Sequence, residues 1–241
     1  MLAALLAGFI ALPTPAQLPT VPRLTQKAEP VYCAGAHGHA FALTFDDGPS
    51  PYTMQLVRVL RREHAHATFF LVGSRVTIWP QGVRAAARIV ELGNHTWSHP
   101  RLPELTGAQV RSELDQTQRV IARVVGSVPR LFRPPYEEST PQIELVARSF
   151  GLLDVRWSAD TGDSRPGAQT RTVLKRALAA VRPGAIILLH DPHPATARIA
   201  AAVLRAAHRK GLEALTVSEL LAREPPSARQ LEGTGAARCP G

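Results

Sequence analysis

Residues 40–49 read Ala-Phe-Ala-Leu-Thr-Phe-Asp-Asp-Gly-Pro. The apolar run predicts a short strand over Ala40–Phe45, and Asp47-Gly48-Pro49 predicts a turn. Two adjacent carboxylates at a strand end repel each other, so something must offset their charge. A metal ion held by one would do so and leave the other free as a base. A turn that simply closes a hairpin is the alternative.

Outward from this strand the pattern is regular. Leu56, Val57, Val59 and Leu60 give residues 52–64 a helical face, and the β-branched and aromatic run 67–72 predicts a strand. Residues 80–92 read as a helix ended by Gly93. Thr106 and Gln109 make a capping-box pattern for a helix reaching about Val125. Strands follow at 131–133, 152–157, 185–190 and 214–216, with helices from Pro141 to Gly151, over 170–181 and 195–210, and up to Arg223 between and after them. Seven or so alternations of strand and helix predict an α/β fold with a parallel sheet, a distorted (β/α) barrel of about seven units. A doubly wound sheet is the alternative, but no Gly-rich phosphate loop follows the first strand. In a barrel, strand C-terminal ends share one face. The unusual polar residues fall at such ends: Asp46-Asp47, Arg133 and His190-Asp191.

His95 and His99 stand four apart and would aim their rings at one point on a helix. Alone, such a pair is most often coincidence. With a strand-end carboxylate, three N/O ligands would leave zinc an open position. His37 and His39 lie in a polar leader and read as solvent-exposed. Arg133-Pro134-Pro135-Tyr136 stiffens the backbone after the fourth strand, either as a surface turn or to aim the Tyr136 amide into a cleft. His190 ends a strongly apolar strand; a lone histidine there would be a satisfied core ring.

The chain has 241 residues, 45% apolar and 20% charged, with a formal charge of +9, which suits one globular domain. Arginine supplies 25 of the 28 basic residues, scattered rather than interleaved with aromatics, which argues against nucleic-acid recognition and suits an anionic polymer such as cell wall. Residues 1–12 are apolar or Gly, too short for a membrane span, and are followed by Pro13, Pro15 and Ala16. They predict a signal peptide over 1–16, although no basic residue precedes the run; a buried N-terminal helix is the alternative. Residues 17–39 read as a leader, 40–223 as the catalytic domain and 224–241 as a flexible tail. Cys33 and Cys239 would be bridged in an exported chain and free thiols in a cytosolic one.

Together, Asp46-Asp47, His95-x-x-x-His99, Arg133-Pro-Pro-Tyr136 and Leu188-Leu-His190, in that order over about residues 40–221, resemble the polysaccharide deacetylases of carbohydrate esterase family four. The resemblance implies a distorted barrel and one divalent metal, zinc first, with cobalt or nickel also suited. It implies Asp47, His95 and His99 as ligands, Asp46 as general base and His190 as general acid. Leu188 would wall the acetyl methyl, with Trp157 and Pro135 in the same pocket. The Tyr136 amide would meet the oxyanion. Arg133 would orient Asp46, with an acidic partner of its own at Asp163 rather than Asp160. The implied partner is an acetylated glycan, and the implied protein is a secreted or wall-associated monomer. An acetylxylan esterase, a small-molecule deacetylase and a glycan-binding pseudoenzyme are the alternatives. Two positions depart from the family: Glu137 stands where Gly is usual and Ser164 where Trp is common, and both changes touch substrate fit.

Overall fold

The computed structural model of the chain describes residues 20–27, 29–232 and 239. Its strands are β1 (Ala40–Gly48), β2 (Ala67–Leu71), β3 (Val90–Asn94), β4 (Leu131–Phe132), β5 (Leu153–Asp154), β6 (Ala159–Asp160), β7 (Ile186–His190) and β8 (Glu213–Leu215). All pair in parallel, in the order β5-β4-β3-β2-β1-β7-β6, with β8 pairing the first residues of β1. The seven strands of that order, with β8 beside β1, curl into a half-barrel, so the distorted (β/α) barrel is the fold. The helices are α1 (Thr20–Thr25), α2 (Thr53–Arg62), α3 (Gly73–Ile78), α4 (Pro80–Ala86), α5 (Gly107–Val125), α6 (Pro141–Ser149), α7 (Thr170–Ala179), α8 (Thr196–Arg209), α9 (Val217–Arg223) and α10 (Ala228–Glu232). The capping box at Thr106 and Gln109 starts α5. No described helix is long and apolar enough to cross a membrane.

Side chains alternate along a strand, and this alternation sorts the core. Phe41, Leu43 and Phe45 of β1 join Phe69, Leu71, Ile187 and Leu189 in the layer beneath the helices. Ala40 and Ala42 face the other way, into the barrel, with Phe70, Val155 and Ile186. Thr44 and Asp46 continue that inward row, as Leu188 and His190 do along β7.

The helix expected over 80–92 is corrected: α4 stops at Ala86 and residues 90–94 form β3, paired with β2 from Ala67↔Val90 to Leu71↔Asn94. Val83, Ala86, Val90 and Leu92 all lie in the core, and short apolar runs do not separate the two periods. Gly93 is no helix stop: a Cβ there would lie 2.5 Å from the Phe70 ring, and its absence makes room for Phe70 inside the barrel. The two-residue strand β6 and helix α3 were also not legible as separate elements.

The first and last described helices pack against the barrel end opposite Asp46. Val21 and Leu24 of α1 join Leu220, Leu221 and Leu231 around Ala40 and Ala42. Residues 228–232, inside the segment read as a tail, form α10, where Gln230 donates to the Ala34 carbonyl at 2.8 Å. Cys33 and Cys239 are bonded, with Cα atoms 5.9 Å apart. The signal peptide expected over 1–16 lies outside the described residues. The bridge closes a loop of sequence separation 206, long enough to restrict the unfolded chain strongly. Unreduced protein is therefore expected to show no alkylatable thiol, and Cys239→Ser to lower stability by about 2–4 kcal/mol in denaturant melts.

Candidate active site

Asp46 and His190 are register partners across the β1–β7 seam, and both face the barrel interior. Between them and the far side of the sheet stands Arg133, fully buried at the end of β4. Its Nη1 donates to Asp46 Oδ1 at 2.7 Å and to Thr44 Oγ1 at 2.9 Å. Its Nε and Nη2 donate to the carbonyls of Val155 (2.8 Å) and Arg156 (3.0 Å), and its guanidinium lies 4.0 Å from the Phe70 ring centroid. One face of Asp46 is thereby occupied, and Oδ2 points away, 3.9 Å from His95 Nε2.

Asp47, His95 and His99 meet beside it. Asp47 Oδ1 lies 3.4 Å from His95 Nε2 and 3.1 Å from His99 Nε2. The three ligand atoms fall within 4.8 Å of one another, and Asp47 Oδ1 is buried with no hydrogen-bond donor. A donor set of two imidazoles and a carboxylate around an orphaned oxygen fits a divalent cation. His95 Nδ1 donates to the Arg133 carbonyl at 2.7 Å, which fixes the tautomer and leaves Nε2 with its lone pair. Burial would raise the Asp47 carboxyl, but the close approach of the His95 and His99 rings holds it well below the usual carboxylate range.

The segment carrying the histidines is not helical, which corrects the helical reading of their spacing. It is a loop after β3 with Thr96 (φ 66°) and His99 (φ 61°) left-handed. Asn94 Oδ1 accepts from the Thr96 amide at 2.9 Å, and Glu113 of α5 accepts from the Trp97 and Ser98 amides at 2.8 Å each. Carboxylate and amide side chains thus hold a conformation that the backbone alone disfavours.

His190 Nδ1 lies 2.8 Å from Asp163 Oδ1, while the His190 amide donates to Asp163 Oδ2 at 2.7 Å. Burial lowers the imidazole pKa, but the Asp163 hydrogen bond and the charges of Asp46, Asp163 and Asp47 outweigh it and raise it to about 9. The expected Arg133–Asp163 pairing is corrected: the carboxylate hydrogen-bonded to Arg133 is Asp46, and Asp163 serves His190. Asp160 instead pairs with Arg165 at 2.8 Å and accepts from the Gly162 amide. The seven residues 157–163 do not say which strand end each carboxylate faces, because β6 is only two residues long.

The rim is built on residues 134–138. Pro135 is buried, whereas Tyr136 is 55% exposed and packs edge-on against His99, with ring centroids 4.8 Å apart. Tyr136 (φ 59°) and Glu137 (φ 62°) are both left-handed, so this loop takes a glycine-like backbone at Glu137 without the glycine. Arg156 holds it there, its Nη1 donating to the Glu137 carbonyl at 2.5 Å while Asp154 clasps the other edge of the guanidinium. Leu188 is buried one pleat before His190, and Trp157 is partly buried, its ring 5.5 Å from the Arg133 guanidinium. Ser164 is exposed in a turn after Asp163. Asn94, Glu113, Asp154 and Arg156 escaped the sequence reading. Asn94 alone gave a local signal, as a polar residue ending an apolar strand beside His95.

A family model described as polysaccharide deacetylase matches residues 35–155. The chain is 35% identical over 182 residues to the peptidoglycan-N-acetylmuramic acid deacetylase PdaC of Bacillus subtilis, covering 74% of this chain but 38% of that protein. It is 39% identical over 156 residues to a chitooligosaccharide deacetylase of Bradyrhizobium, covering 63% of this chain and 70% of that one. Among solved structures, a family 4 carbohydrate esterase from Streptomyces lividans in complex with acetate superposes with a TM-score of 0.70 at 34% identity, over 73% of this chain and 92% of that one.

The Asp47–His95–His99 geometry predicts uptake of one divalent cation per chain. His95→Ala and His99→Ala are each expected to abolish stoichiometric uptake, read by elemental analysis of protein dialysed against the metal. Retention of a full equivalent by both variants would place the cation elsewhere.

Proposed function

The chain belongs to the polysaccharide deacetylase family, and on that premise we propose that it removes acetyl groups from N-acetylated sugars of the peptidoglycan or chito-oligosaccharide type. The observation that carries this reading is the pairing of Asp46 with His190 across one seam, each with its own buried partner, beside the Asp47–His95–His99 trio. The names of the relatives point the same way. The chain spans only 38% of the length of PdaC.

Asp47, His95 and His99 would hold one divalent ion, zinc by the chemistry of the ligands. Bound there, such an ion polarises the acetyl carbonyl and acidifies a water. Asp46 acts as general base. Arg133 and Thr44 fix Oδ1, so Oδ2 is the oxygen left to take the proton. The acetyl carbonyl carbon then bears the attacking oxygen, and charge gathers on the carbonyl oxygen, toward which the Tyr136 amide donates. His190, protonated at neutral pH, has Nδ1 engaged by Asp163 and so offers the proton on Nε2 to the departing nitrogen. Leu188 lies below that nitrogen on the same face of β7 and walls the methyl group, with Pro135 and Trp157 closing the sides.

We assign the catalytic domain to 40–223 and the leading apolar residues 1–16 to a signal peptide, with action at the cell wall. The Cys33–Cys239 bridge supports an oxidising compartment.

Asp46→Asn is expected to keep its metal and lose about 10²–10⁴-fold in kcat on acetylated chito-oligomers. His190→Ala should lose a similar factor on amides and far less on aryl acetates, whose phenolate leaves without a proton; equal losses on both would return His190 to a structural role. For the pH dependence, the acid form of His190 is the active one, so kcat/KM should fall as pH rises through about 9. Asp163→Asn removes the partner that raises the imidazole pKa, so the alkaline limb should move to lower pH. A limb that stays in place would detach it from His190.

A further inference from the structure

Asp191 is wholly buried and is not among the clustered Asp47, His95 and His99 side chains, and the proposed reaction does not use it. Its contacts converge on the turn after β1. The Asp191 amide donates to the Asp46 carbonyl at 2.9 Å, extending the β1–β7 pairing by one bond. Its carboxylate then reaches across the turn: Ser50 Oγ donates to Oδ1 at 2.5 Å and Thr53 Oγ1 donates to Oδ2 at 2.6 Å. Both hydroxyls in turn accept from backbone amides of the same turn, Thr53 Oγ1 from Ser50 N at 2.7 Å and Ser50 Oγ from Tyr52 N at 3.0 Å. Gly48 is pressed against the same carboxylate, since a Cβ there would lie 2.6 Å from Oδ2.

This turn has to be held. Asp47 is left-handed (φ 66°), a conformation that costs a non-glycine residue roughly 1–2 kcal/mol. The conformation turns Asp47 toward the histidines while Asp46, one residue earlier, stays in the strand and faces Arg133. The Asp47 carbonyl is held from outside by Arg75 and the Gly48 carbonyl by the Val72 amide, which fix the side of the turn facing β2 and α3. Asp191 with Ser50 and Thr53 fixes the side facing β7 and α2.

We propose that Asp191 is a positioning residue for the divalent-cation site, acting through the hydroxyls of Ser50 and Thr53 to hold Asp47 in ligating orientation against the strand that carries His190. The inference rests on the reading of Asp47, His95 and His99 as cation ligands. Groups that orient a metal ligand from behind are typically worth 10–100-fold in affinity.

The test is zinc affinity of the full chain, stripped and then titrated with Zn²⁺ against a chelating dye, with a melting curve for each variant in the metal-free state. Wild type should bind one equivalent, and Asp191→Ala should bind it about 10–100-fold more weakly. Asp191→Asn can still accept from one hydroxyl and donate to the other, and should recover most of the loss. Thr53→Val should weaken binding in the wild-type background and add little in Asp191→Ala, because both remove the same link. If Asp191→Ala does not fold, Ser50→Ala and Thr53→Val carry the comparison, each removing one donor. A lowered melting temperature with unchanged zinc affinity across these variants would overturn the proposal and leave Asp191 a purely structural residue. Absence of zinc binding by the wild type would instead overturn the reading of the cation site on which the proposal rests.

Discussion

A buried guanidinium bonded to a buried carboxylate organises this molecule. Arg133 has no exposed surface, and Asp46 is nearly as buried. Placing either charge alone in that interior would cost several kcal/mol, and removing one member of such a pair typically costs about 3–5 kcal/mol because the other is left uncompensated. Burial pulls the Arg133 pKa below its ordinary value, and the charge of Asp46 acts against that shift. The remaining donors of the fork are spent on the Val155 and Arg156 carbonyls, just beyond the end of β5. One side chain therefore spans the open half-barrel from β1 to the β5 edge. Its own carbonyl fixes the ring of His95, so Asp46 and His95 share a single anchor.

A second constraint comes from the backbone. Of the six non-glycine residues with left-handed φ among the described residues, Asp47, Thr96, His99, Tyr136 and Glu137 all belong to the site or its rim. Such strain persists where surrounding structure over-determines it. Each of the loops has polar anchors: Arg75 and Asp191 for the first, Asn94 and Glu113 for the second, Arg156 with Asp154 for the third. These anchors are themselves buried or part-buried ionic and polar groups.

The sequence disclosed the elements whose periodicity is unshared. β1, β2, β7, α2, α5 and α8 carry apolar patterns that fit one period and not the other, and their ends lie within a few residues of expectation. β3 was hidden because Val90 and Leu92 prolong the helical spacing of Val83 and Ala86, and only pairing with β2 decides the matter. The candidate cation ligands are legible as residue types, but the helical turn expected to bring them together is absent. A loop stiffened by Glu113, fourteen residues beyond His99, brings the rings together rather than a helical turn. The partner of Asp163 was misread for a related cause: which carboxylate faces which strand end depends on the two-residue pairing of β6 with β7, and two residues carry no pattern.

The secondary structure also limits what can be transformed. On the reading of Asp46 as base and His190 as acid, the two groups stand on neighbouring strands at one register level, about 4.8 Å apart along the hydrogen-bonding direction. The reacting carbon must then sit over the β1–β7 seam, between them. The next inward position along β7 is Leu188, one pleat below, and its side chain is buried rather than hinged on a loop. A strand cannot shift one residue without turning its inward row outward, so the floor beneath the acyl group cannot be deepened by small movements of the backbone. With Leu188 as the wall of the acyl pocket, a one-carbon substituent on the carbonyl would be accepted more readily than a longer acyl chain, which would have to displace a buried residue. On that reading, selectivity for acetyl over larger acyl groups would follow from sheet register, while selectivity among sugars would be left to the rim at Tyr136, Glu137 and Trp157, where loops can vary without disturbing the seam.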